Sequence, residues 1–257
     1  MPDDPKRSVR SQFGRQAAWY AVSQVHRHSE GLDALLRLAA PAASEGALDV
    51  ATGTGFTALA LAPHCRRVVG LDMTAGMLRE ARALQAGRGV TNVEFCLGDA
   101  EAMPFRSGAF DLVTCRHAAH HFPHLTQAVA EMARVARSGG RIVLVDTCAP
   151  EDARLAALMN SWEVRRDPSH VACDPPSRLR ALFEERGLRV DAAVMTHVPL
   201  TFDDWVRRAG VTADVAESLR AEFLTAPPDA AAAFRIRRDG ADVQFAWDEL
   251  VLLCAKP

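Results

Sequence analysis

Ala47-Leu-Asp49-Val-Ala-Thr-Gly53-Thr-Gly55-Phe-Thr-Ala58-Leu59 is the stretch that decides the fold. An apolar run ends near an acid, turns through two glycines and enters a segment of helical composition. Glycine lacks a Cβ, so such a turn can adopt positive φ and admit a ligand against its backbone. The spacing Gly53-x-Gly55-x-x-Ala58 also meets the relaxed fingerprint of dinucleotide-binding enzymes, which makes an NAD(P)-dependent oxidoreductase one alternative. A tight β–α connection that binds nothing is another.

Working outward, apolar β-rich runs predict strands over residues 47–52, 67–72, 92–97, 110–115, 141–147, 189–198 and 243–255. Helix-favouring segments fall at 57–62, 75–86 and 125–136, with Gly87, Gly89 and Gly139-Gly140 as stops. Residues 12–40 read as helical with a break near Ser29-Glu-Gly31 and a stop at Pro41, and helices are expected at 151–166, after Pro175, at 202–209 and at 212–224. The alternation implies an α/β fold, a Rossmann-like doubly wound, seven-stranded, mostly parallel sheet with helices on both faces. One domain is expected over 1–257: an N-terminal helical cap (1–45), a cofactor-binding core (46–150), and substrate-side helices with the final strands (151–257). A helical insertion between the last two strands would cap the site.

Two further acids end strands: Asp72 after Val68-Val-Gly-Leu71, and Asp99 after Val93-Glu-Phe-Cys-Leu-Gly98. Asp72 lies near the ~20-residue spacing at which an acid reaches ribose hydroxyls. Each alone reads more readily as a helix cap or turn residue. The carboxyl ends of adjacent parallel strands converge on one crevice, however, so Asp49, Asp72 and Asp99 together point to a shared ligand. Asp49 beside the turn suits a cationic amino group better than a pyrophosphate, which counts against the nicotinamide reading.

Leu48-Asp-Val-Ala-Thr-Gly-Thr-Gly55, Val69-Gly-Leu-Asp-Met-Thr-Ala-Gly-Met-Leu78, Gly98-Asp-Ala-Glu-Ala-Met-Pro-Phe105 and Phe110-Asp-Leu-Val-Thr-Cys-Arg-His-Ala-Ala-His-His-Phe122 occur in that order. In these motifs the chain resembles the class I S-adenosylmethionine-dependent methyltransferases of the ubiquinone/menaquinone-biosynthesis-like (methyltransferase type 11) branch. The resemblance extends outward through Gln12-Phe-Gly-Arg-Gln-Ala-Ala-Trp-Tyr20 and Arg166-Asp-Pro-Ser-His-Val171. It implies S-adenosyl-L-methionine as cofactor and S-adenosyl-L-homocysteine as product. It implies further that the turn Ala51, Thr52, Gly53, Thr54 and Gly55 meets the methionine part, with Asp49 near its ammonium group. Asp72 would take the ribose hydroxyls, Met73 and Met77 would flank the adenine, and Asp99 with the Ala100 N–H would meet its edge. Arg116 would line the crevice and Tyr20 would cover it, although packing of its helix explains Tyr20 as well. Ala51 departs from the family, where many relatives carry glycine; the methyl group is neutral there if φ is negative.

His117, His120, His121 and His124 lie close together after the fourth strand. Packing at a loop-to-helix junction is their plainest role. His117 and His121 are the candidate bases for an acceptor that must lose a proton. No metal is expected, since Pro123 interrupts the helix that would align the imidazoles and no cysteine or carboxylate completes a ligand set. For the acceptor itself, Trp19, Trp162, Arg165, Arg166, His170, Trp205 and Arg208 lie in segments that would cap the sheet. The aromatic residues read first as packing anchors and the arginines as solvated charges.

Hydrophobic residues at 49% and charged residues at 24% describe a folding chain, and a formal charge of -2 excludes the basic excess of a nucleic-acid binder. Six scattered cysteines without a C-x-x-C pair speak against a zinc ribbon or disulfide framework. No apolar run approaches the roughly 20 residues of a membrane span, and no signal peptide opens the chain, so the cytoplasm is the expected location. The expectation is therefore a methyltransferase with a small-molecule acceptor, methylated at carbon or oxygen, without nucleic acid or membrane span, and with a homodimer left open. A cofactor-binding protein that transfers no methyl group stands as a further alternative.

Overall fold

The computed structural model describes residues 5–22, 29–240 and 242–257. Strands β1 (Gly46–Val50), β2 (Arg67–Asp72), β3 (Val93–Leu97), β4 (Phe110–Arg116) and β5 (Ala136–Cys148) run parallel. β6 (Arg189–Thr201) and β8 (Asp242–Ala255) complete the sheet, with β8 antiparallel to both β5 and β6. The order is β3-β2-β1-β4-β5-β8-β6, and all seven expected strands are in it. An eighth, β7 (Arg237–Asp239), pairs with β8. Its three exposed, charged residues carry no apolar alternation by which a strand could be read.

The largest boundary difference is at β5, expected from 141 but running from Ala136 directly out of the preceding helix. Its register against β4 jumps between Phe110↔Ala136 and Leu112↔Arg141, so residues 137–140 bulge, with Gly139 at φ 69°. The glycine pair therefore shapes a bulge inside the strand, where composition suggests a helix stop.

β1, β2 and β4 are buried on both faces, which is why Val68-Val-Gly-Leu71 reads as an unbroken apolar run. On β1, Leu48 and Val50 face one layer, containing α5 (Leu125–Val135) and α7 (Pro176–Glu184). Ala47 faces the other, containing α2 (Glu30–Ala39) and α3 (Phe56–Leu61). Of the remaining helices, α1 (Pro5–Val22) packs on α4 (Ala75–Gly87), whose Gly76 approaches Gly14 so closely that an added Cβ would lie 3.4 Å from the Gly14 carbonyl oxygen. Ser29 caps α2 by accepting from Leu32 N at 3.1 Å, at the predicted break; residues 23–28 lie outside the described part.

α6 (Ala153–Arg166), α8 (Phe202–Ala209), α9 (Ala213–Leu224) and α10 (Pro228–Ala233) gather beyond the sheet around an aromatic cluster of Trp162, Phe202, Trp205, Phe223, Phe234, Phe245 and Trp247. Trp162 and Trp205 are thus packing anchors, while Trp19 is exposed. All six cysteines are free thiols, and all but Cys96 are buried.

This topology has one switch point. From β1 the chain winds outward to β2 and β3, then returns across β1 to β4, which opens a crevice above the carboxyl ends of β1 and β4.

Gly31 gives a local test of the packing. A Cβ there would lie 2.8 Å from Glu249 Oε1 and closer still to Oε2, and that buried carboxylate is held by the Thr196 hydroxyl at 2.6 Å. Alanine ordinarily improves a helix by about 1 kcal/mol over glycine. Here overpacking, typically about 1–3 kcal/mol, outweighs it, so Gly31→Ala is expected to lower the urea midpoint. A raised midpoint would contradict the packing of α2 on β8.

Candidate active site

A cavity with about 970 Å³ of empty space, its mouth included, occupies the crevice. Its wall includes Asp49, Ala51, Thr52, Gly53, Thr54, Asp72, Met73, Met77, Asp99, Ala100, Arg116, His117 and His121, nearly all of the residues singled out by sequence. Gly55 is outside it. Its φ of 81° and the 2.9 Å that an added Cβ would have to Phe95 Cζ make it a turn and packing glycine. Gly53, at φ 54°, has nothing within 4 Å of such a Cβ and so presents bare backbone to the cavity. The side chain of Tyr20 lies outside the described part.

The three acids are tied in different ways. Asp49 is buried at the end of β1 and accepts from the hydroxyls of Thr52 (2.6 Å) and Thr114 (2.8 Å). Burial pushes its pKa up to about 6, against the two hydroxyl bonds and the nearby Arg116 guanidinium, which pull it down. Asp72 accepts from the backbone N–H groups of Gly53 and Thr74, each at 2.8 Å, and burial likewise raises its pKa. It clasps the β1 and β2 loops together, as a turn residue does, and stands on the cavity wall. Asp99 takes an N–H from Glu101 at 2.9 Å and the Lys6 ammonium at 2.6 Å.

Ala51 has φ 52°, so the condition on which its methyl group would be neutral is not met. The left-handed region costs a non-glycine residue about 1–2 kcal/mol, which explains why a glycine pattern is favoured there. His117 also has a positive φ, 53°, and its backbone N–H bonds Val145 O at 2.8 Å.

Several wall residues were not evident from sequence. Lys6, Val9 and Phe13 come from α1, far from the motifs in the chain. Lys6 reaches both Asp99 and Glu101, the latter at 2.5 Å, and Glu101 in turn accepts from His124 N at 2.7 Å. A lone lysine in a polar N-terminal stretch carries no signal of this; Glu101, inside the third motif, could have been found as an acid two residues from Asp99.

A second cavity, with about 690 Å³ of empty space, adjoins the first and shares Phe13, His117 and His121 with it. Of the residues considered for the acceptor, Arg166, His170, Trp205 and Arg208 line it. Arg165 instead pairs with Glu222 on the surface at 2.6 Å. His120, Thr147, Glu163, Asp167 and Trp247 add to its polar wall, and of these only His120 stands out in the sequence. The histidines are held individually: His117 Nε2 lies 3.0 Å from Glu249 Oε1, His120 Nδ1 lies 2.6 Å from Asp146 Oδ1, and His121 Nδ1 lies 3.0 Å from Ser169 O. Among the described residues no group of three or more histidine, cysteine or acidic side chains is arranged to hold a metal.

Comparison with known proteins fits this geometry. A methyltransferase domain family matches residues 48–144. The uncharacterised methyltransferase YcgJ of Bacillus subtilis is 38% identical over 79% of this chain and 80% of its own length. The chain belongs to the class I S-adenosylmethionine-dependent methyltransferases. In three dimensions the crystal structure of YcgJ superposes with a TM-score of 0.85 at 34% identity, covering 89% of this chain and 99% of that one. A demethylmenaquinone methyltransferase of Deinococcus radiodurans is 38% identical over 45% of this chain, which spans about half (48%) of that enzyme. The protein is thus a methyltransferase whose cofactor is S-adenosylmethionine, and the oxidoreductase alternative is set aside. No helix among the described residues is long and apolar enough to cross a membrane.

The buried Asp49 gives a pH-dependent test. Its pKa is raised in the folded state, so folding is penalised as pH rises from the ordinary aspartate range, about 4, through about 6. Asp49→Asn should therefore be more stable than the parent by about 2–3 kcal/mol near pH 7.5, from two pKa units at ~1.4 kcal/mol each, with the gap closing near pH 4. Urea titrations at both pH values check this, and an equal gap at both would contradict it.

Proposed function

We propose that this methyltransferase acts on a small-molecule acceptor, at oxygen or carbon, with the cofactor in the first cavity and the acceptor in the second. The observation that carries the reading is their shared wall of Phe13, His117 and His121. Two ligands on either side of that seam would meet without passing through solvent, and a displacement reaction needs that alignment and exclusion of water.

The first cavity fits the cofactor chemically. Asp49 is a buried carboxylate whose desolvation its two hydroxyl partners only partly offset, and an ammonium group would complete the compensation. Asp72 spends one lone pair of each oxygen on a backbone N–H and retains acceptor capacity for a ribose diol. Gly53 and Thr54 would border the methionine part, Met73 and Met77 the adenine faces, and Asp99 with Ala100 its edge. When bound, S-adenosylmethionine supplies a methyl carbon activated by its sulfonium. The protein's part is to hold, align and exclude water. In this reading 46–150 is the cofactor core, 1–45 and 151–257 close over it as one domain, and the enzyme works in the cytoplasm.

Calorimetry with S-adenosylhomocysteine tests the assignment. The parent should bind in the micromolar range, around -8 kcal/mol, and Asp99→Ala should weaken binding by about tenfold, the worth of one charged hydrogen bond. A folded parent that takes up no S-adenosylhomocysteine would overturn the reading. Formation of methylated product from a panel of small phenols and carbon acids, read by mass spectrometry, then identifies the acceptor.

A further inference from the structure

The second cavity holds a histidine built differently from its neighbours. Asp146, buried on β5, accepts from the His120 backbone N–H at 3.0 Å, from Thr147 N at 2.8 Å and from His120 Nδ1 at 2.6 Å. A carboxylate held ionised can only accept, so Nδ1 carries the hydrogen and the lone pair of this ring sits on Nε2. His120 lines the second cavity and not the first. We propose that His120 is the general base for the acceptor, with Asp146 as its positioning residue, and that the acceptor is a weakly acidic hydroxyl or enol compound. This rests on the second cavity being the acceptor site.

Glu163, Asp167 and His170 of this cavity are spent. Glu163 accepts from Trp205 Nε1 (3.2 Å), Trp247 Nε1 (2.7 Å) and Arg166 (2.6 Å), and Asp167 from Ser169 N (2.9 Å) and Oγ (2.6 Å). Both carboxylates are held below their ordinary pKa despite burial, by Arg166 and neighbouring histidines for Glu163 and by His121 and Arg166 for Asp167, so they are weak bases. His170 Nε2 donates to Asn160 Oδ1 (2.9 Å), whose acceptor role is fixed because Cys173 N donates to it as well (2.7 Å). Burial and the neighbouring His120 push His170 down to about 4 and His121 down to about 3. His120 alone among these is raised, because Asp146, with Glu163 and Asp167 behind it, outweighs its desolvation. The groups around it are Asp146 from β5, His117 and His121 from its own segment, Glu163 and Arg166 from α6, Asp167 and His170 from the following loop, and Arg208 from α8. His117, the other carboxylate-backed ring, stands on the seam, where the methyl group must pass. His120 stands on the acceptor side, where the proton must leave.

In the step so assigned, the acceptor's O–H bond breaks and its proton passes to His120 Nε2. The released electron pair, on oxygen or on the conjugated carbon of the enolate, forms the bond to the methyl carbon, and the carbon–sulfur bond breaks with its pair left on sulfur. A carbon methylated in this way then loses its own proton where aromaticity must be restored, again to Nε2 after the first proton has gone to solvent. The positive charge lost from the sulfonium reappears on an imidazolium already paired with Asp146.

The test uses the full chain, with 4-nitrophenol as a coloured acidic probe and S-adenosylhomocysteine as a cofactor control. Nitrogen-15 histidine NMR between about pH 5 and 9 should show His120 titrating above about 6.5 in the parent and lower in Asp146→Asn, which checks the pairing itself. At about pH 6, where the free probe is mostly un-ionised, bound nitrophenol should absorb as the phenolate in the parent, show about tenfold less phenolate or lower in Asp146→Asn, a loss that a merely structural Asp146 would not produce, and stay un-ionised in His120→Gln. Asp146→Asn and His120→Gln, neither of which alters the wall of the first cavity, should bind S-adenosylhomocysteine as the parent does. A parent that binds this control but neither binds nor ionises the probe overturns the acceptor class. Ionisation that survives His120→Gln or disappears only in His117→Gln overturns the base, as does a His120 that titrates below 6.5. Absent S-adenosylhomocysteine binding by the parent instead overturns the underlying cofactor reading.

Discussion

Asp72 closes the site by a pair of backbone hydrogen bonds, one to Gly53 in the β1 loop and one to Thr74 in its own. A carboxylate taken out of water must find donors or lose its charge, and here the nearest donors belong to two separate chain turns. Satisfying the buried acid therefore fixes the distance between the loops, and with it the cavity that the β1/β4 switch point opens. Ala51 and His117, both held at positive φ on the wall of that cavity, show backbone conformations that the surrounding contacts impose against local preference.

The same economy runs through the second cavity. Asp146, Glu163, Asp167 and Glu249 are all buried, and each is matched to donors: His120, two tryptophans with Arg166, Ser169, and Thr196. Such a wall is rigid because no carboxylate can move without leaving a donor unpaired. Fixed dipoles and rotamers are what a methyl transfer asks of its protein, since the leaving group is activated before it arrives.

Much of this was legible in the chain. Strand ends Asp49 and Asp72 were placed correctly because parallel strands buried on both faces leave unambiguous apolar runs. The two-residue Gly53–Gly55 pattern was legible as a turn, but only coordinates separate Gly53, which borders empty space, from Gly55, which makes room for Phe95. Lys6, Phe13 and Glu163 could not be read, for their roles arise from contacts across the whole chain: Lys6 with Asp99, 93 positions apart, and Glu163 with Trp247, 84 apart. Among the histidines, spacing gives proximity and says nothing of partners; the carboxylate behind His120 lies 26 residues away on β5. That is why the sequence points to His117 and His121 and passes over His120; the His121 ring faces a backbone carbonyl.

The central claim is that cofactor and acceptor meet at the Phe13, His117 and His121 seam. A crystal structure of the protein with S-adenosylhomocysteine tests it most directly. The account predicts the ribose hydroxyls on Asp72 and the sulfur turned toward the seam, facing the second cavity. A ligand whose sulfur points to bulk solvent or away from the second cavity, or one bound outside the β1/β4 crevice, would contradict it.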